Sequence, residues 1–213
     1  MEIVLQNIGK QFKNGTRALD HVTFTIPQGE FVSVIGPSGA GKTTLFRILN
    51  GMETPVDGAV LFDGSDISSM SGTARKNVKR SIGTIYQDFC LVENSTCLDN
   101  VLTACLPDMG FFPAVFGIYG KKRRAEALKF LDRVGLSEKS EEPVKNLSGG
   151  QKQRLSIACG ILSDRGILIF DEPTSGLDGG NMGIVADVFR TEAEAGKTIL
   201  VITHDRELMH RCC

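Results

Sequence analysis

The chain has 213 residues, of which 41% are hydrophobic and 23% charged, with 24 Lys and Arg against 25 Asp and Glu. That composition is ordinary for a globular protein and excludes wholesale disorder, while a net charge of -1 excludes a strongly basic nucleic-acid module. No apolar run reaches the ~18–20 residues of a membrane span, and residues 1–5 show no basic region leading into a long apolar stretch, so no export signal is expected. At roughly 100–200 residues per domain, residues 1–213 allow one large domain or two small ones.

In chain order, residues 1–30 together with 58–64 read as a small antiparallel sheet. Gly-containing turns punctuate them at Asn14-Gly15, Gln28-Gly29 and Asp63-Gly64. Residues 22–26 alternate with period two. The short apolar run 31–35 reads as a buried parallel strand, and residues 42–50 carry a helical pattern. A strand is expected over 82–86. Residues 88–160 are mostly helical, with patterns at 121–134 and 150–162, and are expected to protrude as a helical subdomain. The rest of the core, 161–213, alternates a strand at 167–170, a helix at 181–195 and a strand at 198–202. Strands alternating with helices predict an α/β fold with a mostly parallel core sheet. The core would combine 1–87 with 161–213, and the antiparallel part would lie beside it. Six cysteines occur at 90, 97, 105, 159, 212 and 213. None forms a C-x-x-C pair, and none has a histidine at zinc-ligand spacing, so reduced thiols are expected.

Residues Gly36-Pro37-Ser38-Gly39-Ala40-Gly41-Lys42-Thr43 match G-x-x-x-x-G-K-[ST] in full, between an expected strand and an expected helix. Glycines let the backbone wrap a polyphosphate and aim N–H groups inward, and the helix N-terminus adds partial positive charge. Lys42 is placed to reach the β- and γ-phosphates. The Thr43 hydroxyl, with Thr44 beside it, is placed at Mg²⁺. Strand 167–170 ends in Asp171 and Glu172. In a parallel sheet the strand ends gather beside such a loop, so Asp171 can help hold Mg²⁺ and Glu172 can polarise an attacking water. At Leu147-Ser148-Gly149-Gly150-Gln151, a serine N-cap precedes two glycines and a helix, which makes a second anion-binding helix end.

The stretch 147–151 resembles the Leu-Ser-Gly-Gly-Gln signature of ATP-binding cassette (ABC) transporter ATPase subunits, and the other family motifs follow in the family's order. By that resemblance Gln87 matches the glutamine that contacts Mg²⁺ and relays to a membrane subunit. Ser175-Gly176-Leu177-Asp178 matches the D-loop, and His204 the histidine that contacts the γ-phosphate. Phe12 falls where the family stacks an aromatic on adenine; packing in the core is the alternative for a Phe beside an N-terminal strand. The resemblance implies a P-loop NTPase fold, ATP and Mg²⁺ as ligands, and a head-to-tail dimer. ATP on the phosphate loop of one subunit would be capped by Ser148, Gly149, Gly150 and Gln151 of the other. It also implies integral membrane permease subunits as partners, a binding protein outside the membrane met only indirectly, no nucleic acid, and a peripheral place on the cytoplasmic face of the membrane. Retained Glu172 and His204 argue against a non-hydrolysing scaffold. The short span from Gln87 to Leu147 and the single cassette argue against a soluble relative that remodels DNA or ribosomes.

Within that span, Phe111, Phe112, Phe116 and Tyr119 precede a basic run at 121–124. The aromatics suit either a membrane partner's interface or packing inside the helical subdomain. The basic run suits a solvated helix start or lipid headgroups. With the stretch Tyr86-Gln87-Asp88-Phe89-Cys90-Leu91-Val92, this insertion is similar to ATPase subunits of phosphonate importers, and phosphite or another oxyanion fits as well. Two departures stand out. Ala158-Cys159-Gly160-Ile161-Leu162 replaces the family's Ala-Arg-Ala-Leu, and Gly160 is expected to weaken a helix interior. The family also continues past the helix after His204, so a sheet edge is expected to be uncovered if those elements are missing.

Overall fold

A computed structural model describes residues 1–86, 88–109, 112, 117, 119–163 and 165–212. One sheet is antiparallel, in the order β2-β1-β4-β5, from β1 (Ile3–Gln11), β2 (Arg17–Ile26), β4 (Asp57–Phe62) and β5 (Ser65–Asp66). The other is parallel, in the order β3-β8-β7-β6, from β3 (Phe31–Ile35), β6 (Ile82–Ile85), β7 (Ile167–Asp171) and β8 (Thr198–Thr203). The expected α/β architecture with an antiparallel part is therefore present.

Period-two alternation in the two central strands separates two cores. Leu168 and Phe170 of β7, with Ile199 and Val201 of β8, face the helical side. Ile167, Ile169, Leu200 and Ile202 face the antiparallel sheet and α1 (Lys42–Leu49). Successive side chains on a strand point to opposite faces, so strands covered on both sides must be apolar at every position, as β8 is: all six of its residues are buried. On the helical side α3 (Cys97–Thr103), α4 (Lys121–Arg133) and α5 (Gly149–Leu162) pack Leu98, Leu102, Leu131 and Ile157 together. There α6 (Gly179–Glu194) brings Phe189 to 4.5 Å from Phe170, ring centre to ring centre. The last helix, α7 (Arg206–Cys212), packs against α6. A buried carboxylate ties the end of α4 to this layer: Glu192 is within 2.6 Å of Arg133 and 2.8 Å of Lys197. Removing one partner of such a buried group costs about 3–5 kcal/mol.

One expectation is corrected, and two further features have causes the sequence did not show. Strand β3 is an edge strand, not a buried one; its residues are only half-covered and Ile35 is exposed. Helix α2 (Gly72–Ser81) has no buried residue, hence no apolar stripe to reveal it. It is held instead by Arg75, which donates to the carbonyls of Ile67 and Ser68, and by the Ser71 N-cap. Gly160 is a packing requirement: a Cβ there would collide with the Ile85 side chain. Helix α5 thus lies closer to β6 than any other residue at 160 would permit. Of the aromatic insertion, Phe112 is exposed and Tyr119 packs against the helical core; Phe111 and Phe116, like Cys213, lie outside the described residues. Among the described residues no helix is long and apolar enough to cross a membrane.

Candidate nucleotide site

The phosphate loop joins β3 to α1. Gly39 and Gly41 adopt φ +83° and +87°, a region in which a Cβ is strained. A Cβ on Gly41 would also strike the Ala18 carbonyl oxygen of β2, so only glycine lets the loop lie against that strand. The loop closes on itself through Ala40 N–H to the Pro37 carbonyl at 3.2 Å. No side chain caps α1, which leaves its first N–H groups to whatever the loop encloses. Lys42 Nζ donates to the carbonyls of Gly36 at 2.7 Å and Pro37 at 3.1 Å, which pins the ammonium above the loop.

These residues form one wall of an open cleft of about 440 Å³. Ser38, Gly39, Gly41, Lys42, Thr43 and Thr44 come from the loop and α1, Asp171 and Glu172 from the end of β7, and His204 from just after β8. The sheet order explains the convergence, because β7 and β8 are adjacent and parallel and both end at this cleft. Thr16, Arg17 and Ala18 of the antiparallel sheet complete it. Phe12 is half-buried at the turn leading to Thr16, with its N–H on the Thr16 carbonyl, and Lys10 Nζ lies 5.6 Å from its ring centre. It is absent from both buried cores.

The Asp171 carboxyl is raised above its ordinary value, first by burial and then by neighbouring Glu172; Lys42 and Arg47 pull the other way. Glu172 stands at φ +51°, a strained conformation for a residue with a side chain. Its N–H is held by the Ile202 carbonyl at 2.8 Å. Its carboxylate meets His204 Nδ1 at 2.9 Å and accepts from the Thr203 hydroxyl at 3.2 Å. Thr203 escaped the reading of the sequence, where it counted only as the residue before His204. A hydroxyl at the very end of a central parallel strand was the available signal. The Thr43 hydroxyl and Asp171 carboxylate are oxygen donors of the kind Mg²⁺ takes alongside phosphate oxygens. Among the described residues no three His, Cys, Asp or Glu side chains gather at metal-binding distance.

Ser148 is elsewhere. It caps α5 on an exposed surface, and none of residues 148–151 lines the cleft. Its hydroxyl accepts from Gln151 N–H at 3.3 Å while the Gln151 side chain accepts from Ser148 N–H at 2.9 Å, a reciprocal capping box. Gly150 packs under Leu177: a Cβ there would lie 3.2 Å from the Leu177 side chain. Next to it Asp178 caps α6 by accepting from Asn181 N–H at 2.9 Å. That backbone N–H, ahead of all other causes, holds the Asp178 carboxyl below its usual range. Gln87 lies outside the described residues. The residues around it, Tyr86 and 89–92, line a separate cavity of about 260 Å³ between β6 and helices α3 and α5. Asn100 braces this segment by pairing both backbone groups of Val92, at 2.7 and 3.1 Å.

A family profile described as ABC transporter matches residues 19–175. The phosphonates import ATP-binding protein PhnC of Lactococcus lactis subsp. cremoris (strain SK11) is 40% identical over 207 residues, 97% of this chain and 84% of that protein. The methionine import ATP-binding protein MetN of Cutibacterium acnes is 41% identical over 215 residues, 97% of this chain but 56% of that protein. Among solved structures, the dimeric structure of MJ0796, a bacterial ABC transporter cassette, superposes with a TM-score of 0.86 at 31% identity, over 98% of this chain and 90% of that one. The post-hydrolysis dimer of the same cassette bound to ADP and Pi gives 0.85 over the same shares. The profile spans both the loop and the strand-end carboxylates that build the cleft, and the likenesses run over nearly the whole chain: this protein belongs to the ABC transporter family, as one of its ATPases.

Proposed function

We propose that the chain is the ATP-hydrolysing subunit of an ABC importer and powers uptake of a small oxyanion, phosphonate first among them, through separate membrane subunits. The observation that carries this reading is the division of the anion-binding parts. One capped helix end lies outside the cleft that holds Lys42, Glu172 and His204, as a two-subunit site requires. The active form is then a head-to-tail dimer in which Ser148, Gly149, Gly150 and Gln151 of one copy close the cleft of the other, with Asp178 at the seam.

In this reading the phosphate loop from Gly36 to Thr43 wraps the polyphosphate, Lys42 neutralises its outer phosphates and Phe12 stacks on adenine. Thr43, Asp171 and Gln87 hold Mg²⁺, which when bound neutralises charge developing on the phosphates. Glu172 accepts a proton from the attacking water. His204, 72% exposed beside it, contacts the γ-phosphate. The cavity beside Gln87 receives the permease, so the chain works at the cytoplasmic face of the membrane. Phosphonate is favoured by the PhnC likenesses and by the 86–92 stretch; the MetN likeness makes methionine the competitor. Complementation decides between them. Expressed in a bacterium that has lost its phosphonate-importer ATPase, the chain should restore growth on phosphonate as the only phosphorus source. Rescue of a methionine-uptake mutant instead would overturn the substrate.

A further inference from the structure

We infer that Thr203 is a positioning residue that fixes the Glu172 carboxylate, an inference resting on the reading of Glu172 as the base. Thr203 ends β8 and is fully buried (0% exposed). Its oxygen accepts from Asp205 N–H at 3.0 Å. With that lone pair taken, the one hydroxyl proton is directed at Glu172 Oε2, 3.2 Å away; an ionised carboxylate can only accept. Asp205 cannot easily release its hold. Its carboxylate accepts from Glu207 N–H at 2.8 Å and Leu208 N–H at 3.4 Å at the start of α7, and from the Thr174 hydroxyl at 3.2 Å.

Two consecutive residues of β8 therefore grip Glu172, Ile202 by its main chain and Thr203 by its side chain. The other side chain on this carboxylate is His204, which is largely in solvent. An exposed imidazole can turn about its side-chain bonds. A buried β-branched threonine is confined to few rotamers. When His204 swings toward a γ-phosphate, Thr203 is the side chain among the described residues that keeps the carboxylate in place.

The test compares the full chain with Thr203→Val, Thr203→Ser and Glu172→Gln for Mg-ATP turnover, for the lifetime of the Mg-ATP-bound dimer, and for thermal unfolding. Loss of one hydrogen bond to a charged group corresponds to about a tenfold change in rate. Thr203→Val should lose about tenfold in kcat with KM unchanged, its ATP-bound dimer should persist longer, its melting temperature should fall by a few degrees because Asp205 N–H loses its acceptor, and Thr203→Ser should recover all three. Should valine prevent folding, Thr203→Ala carries the same comparison with serine. Parent-like kcat and dimer lifetime in the hydroxyl-free variant, or an equal loss in the serine variant, would overturn the role. Turnover surviving in Glu172→Gln would instead overturn the assignment of the base.

Discussion

Helix α1, which follows Gly41, and helix α5, which begins at Gly149, both offer their N-termini to an anion, yet their surroundings differ in kind. Helix α1 starts inside a cleft where its own Lys42 meets Asp171 and Glu172 from the end of β7 and His204 from just after β8. Helix α5 starts on an exposed surface with its own capping box, Ser148 and Gln151. The first is a site with its chemistry assembled. The second is a capped helix end outside that cleft, with Leu177 against Gly150 and the Lys152–Glu93 pair in its first turn. In the proposed head-to-tail dimer, such a chain would keep the catalytic charges in one copy and take a hydrogen-bonding cap from the other, which would let binding and closure be separate events.

The comparison breaks most visibly if Lys42 is removed. Lys42→Ala should weaken ATP binding by about 100-fold, because a desolvated polyphosphate loses its main countercharge; titration with a fluorescent ATP analogue measures it. Ser148→Arg should do the opposite, leaving binding by the single chain intact while abolishing turnover and the ATP-dependent dimer seen by light scattering. A mixture of the two variants sharpens the point. A head-to-tail pair of one Lys42→Ala copy and one Ser148→Arg copy keeps one intact composite site, so the mixture should recover turnover that neither variant has alone. No recovery would mean that cleft and cap do not meet across two copies. Glu172→Gln should lose about 10²–10⁴ in kcat while still binding ATP, and should accumulate as the dimer.

Smaller effects probe the scaffold under each helix. Gly160→Ala, on the same helix as Ser148, should cost about 1–3 kcal/mol by overpacking against Ile85, which thermal unfolding would register. Thiol labelling reads the neighbouring cavity. Burial pushes the Cys159 thiol up to about 12, so at pH 8 it stays protonated and alkylates far more slowly than exposed Cys90. Raising the pH increases the thiolate fraction of Cys159, which lines that cavity, and should speed its labelling.

The phosphate loop, both strand-end carboxylates and the serine cap were legible in the sequence because each is a local pattern with its own physical cause. The parallel strands and the helices at 42–49, 121–133, 149–162 and 179–194 were legible for the same reason: apolar spacing against two cores. What was hidden depends on neighbours distant in sequence. Helix α2 buries no residue fully, packs only Val78 against the core and is held by Arg75. The edge position of β3 follows from strand order, which no single run encodes. Gly160 reads as a defect until Ile85 is placed against it. Thr203 is one of many threonines until Glu172 turns out to bend back toward it with φ +51°.

The alternation along β7 also limits how this chain can vary. Its odd-numbered residues Ile167 and Ile169 fill one core and its even-numbered residues Leu168 and Phe170 fill the other, and the strand runs directly into Asp171 and Glu172. Inserting or deleting a single residue would exchange the two cores and turn the carboxylates to opposite sides at once. Length changes are therefore tolerable only outside the strand, in the connecting loops and the helical insertion, and these are the places where descendants of this chain can acquire new partners without disturbing its chemistry.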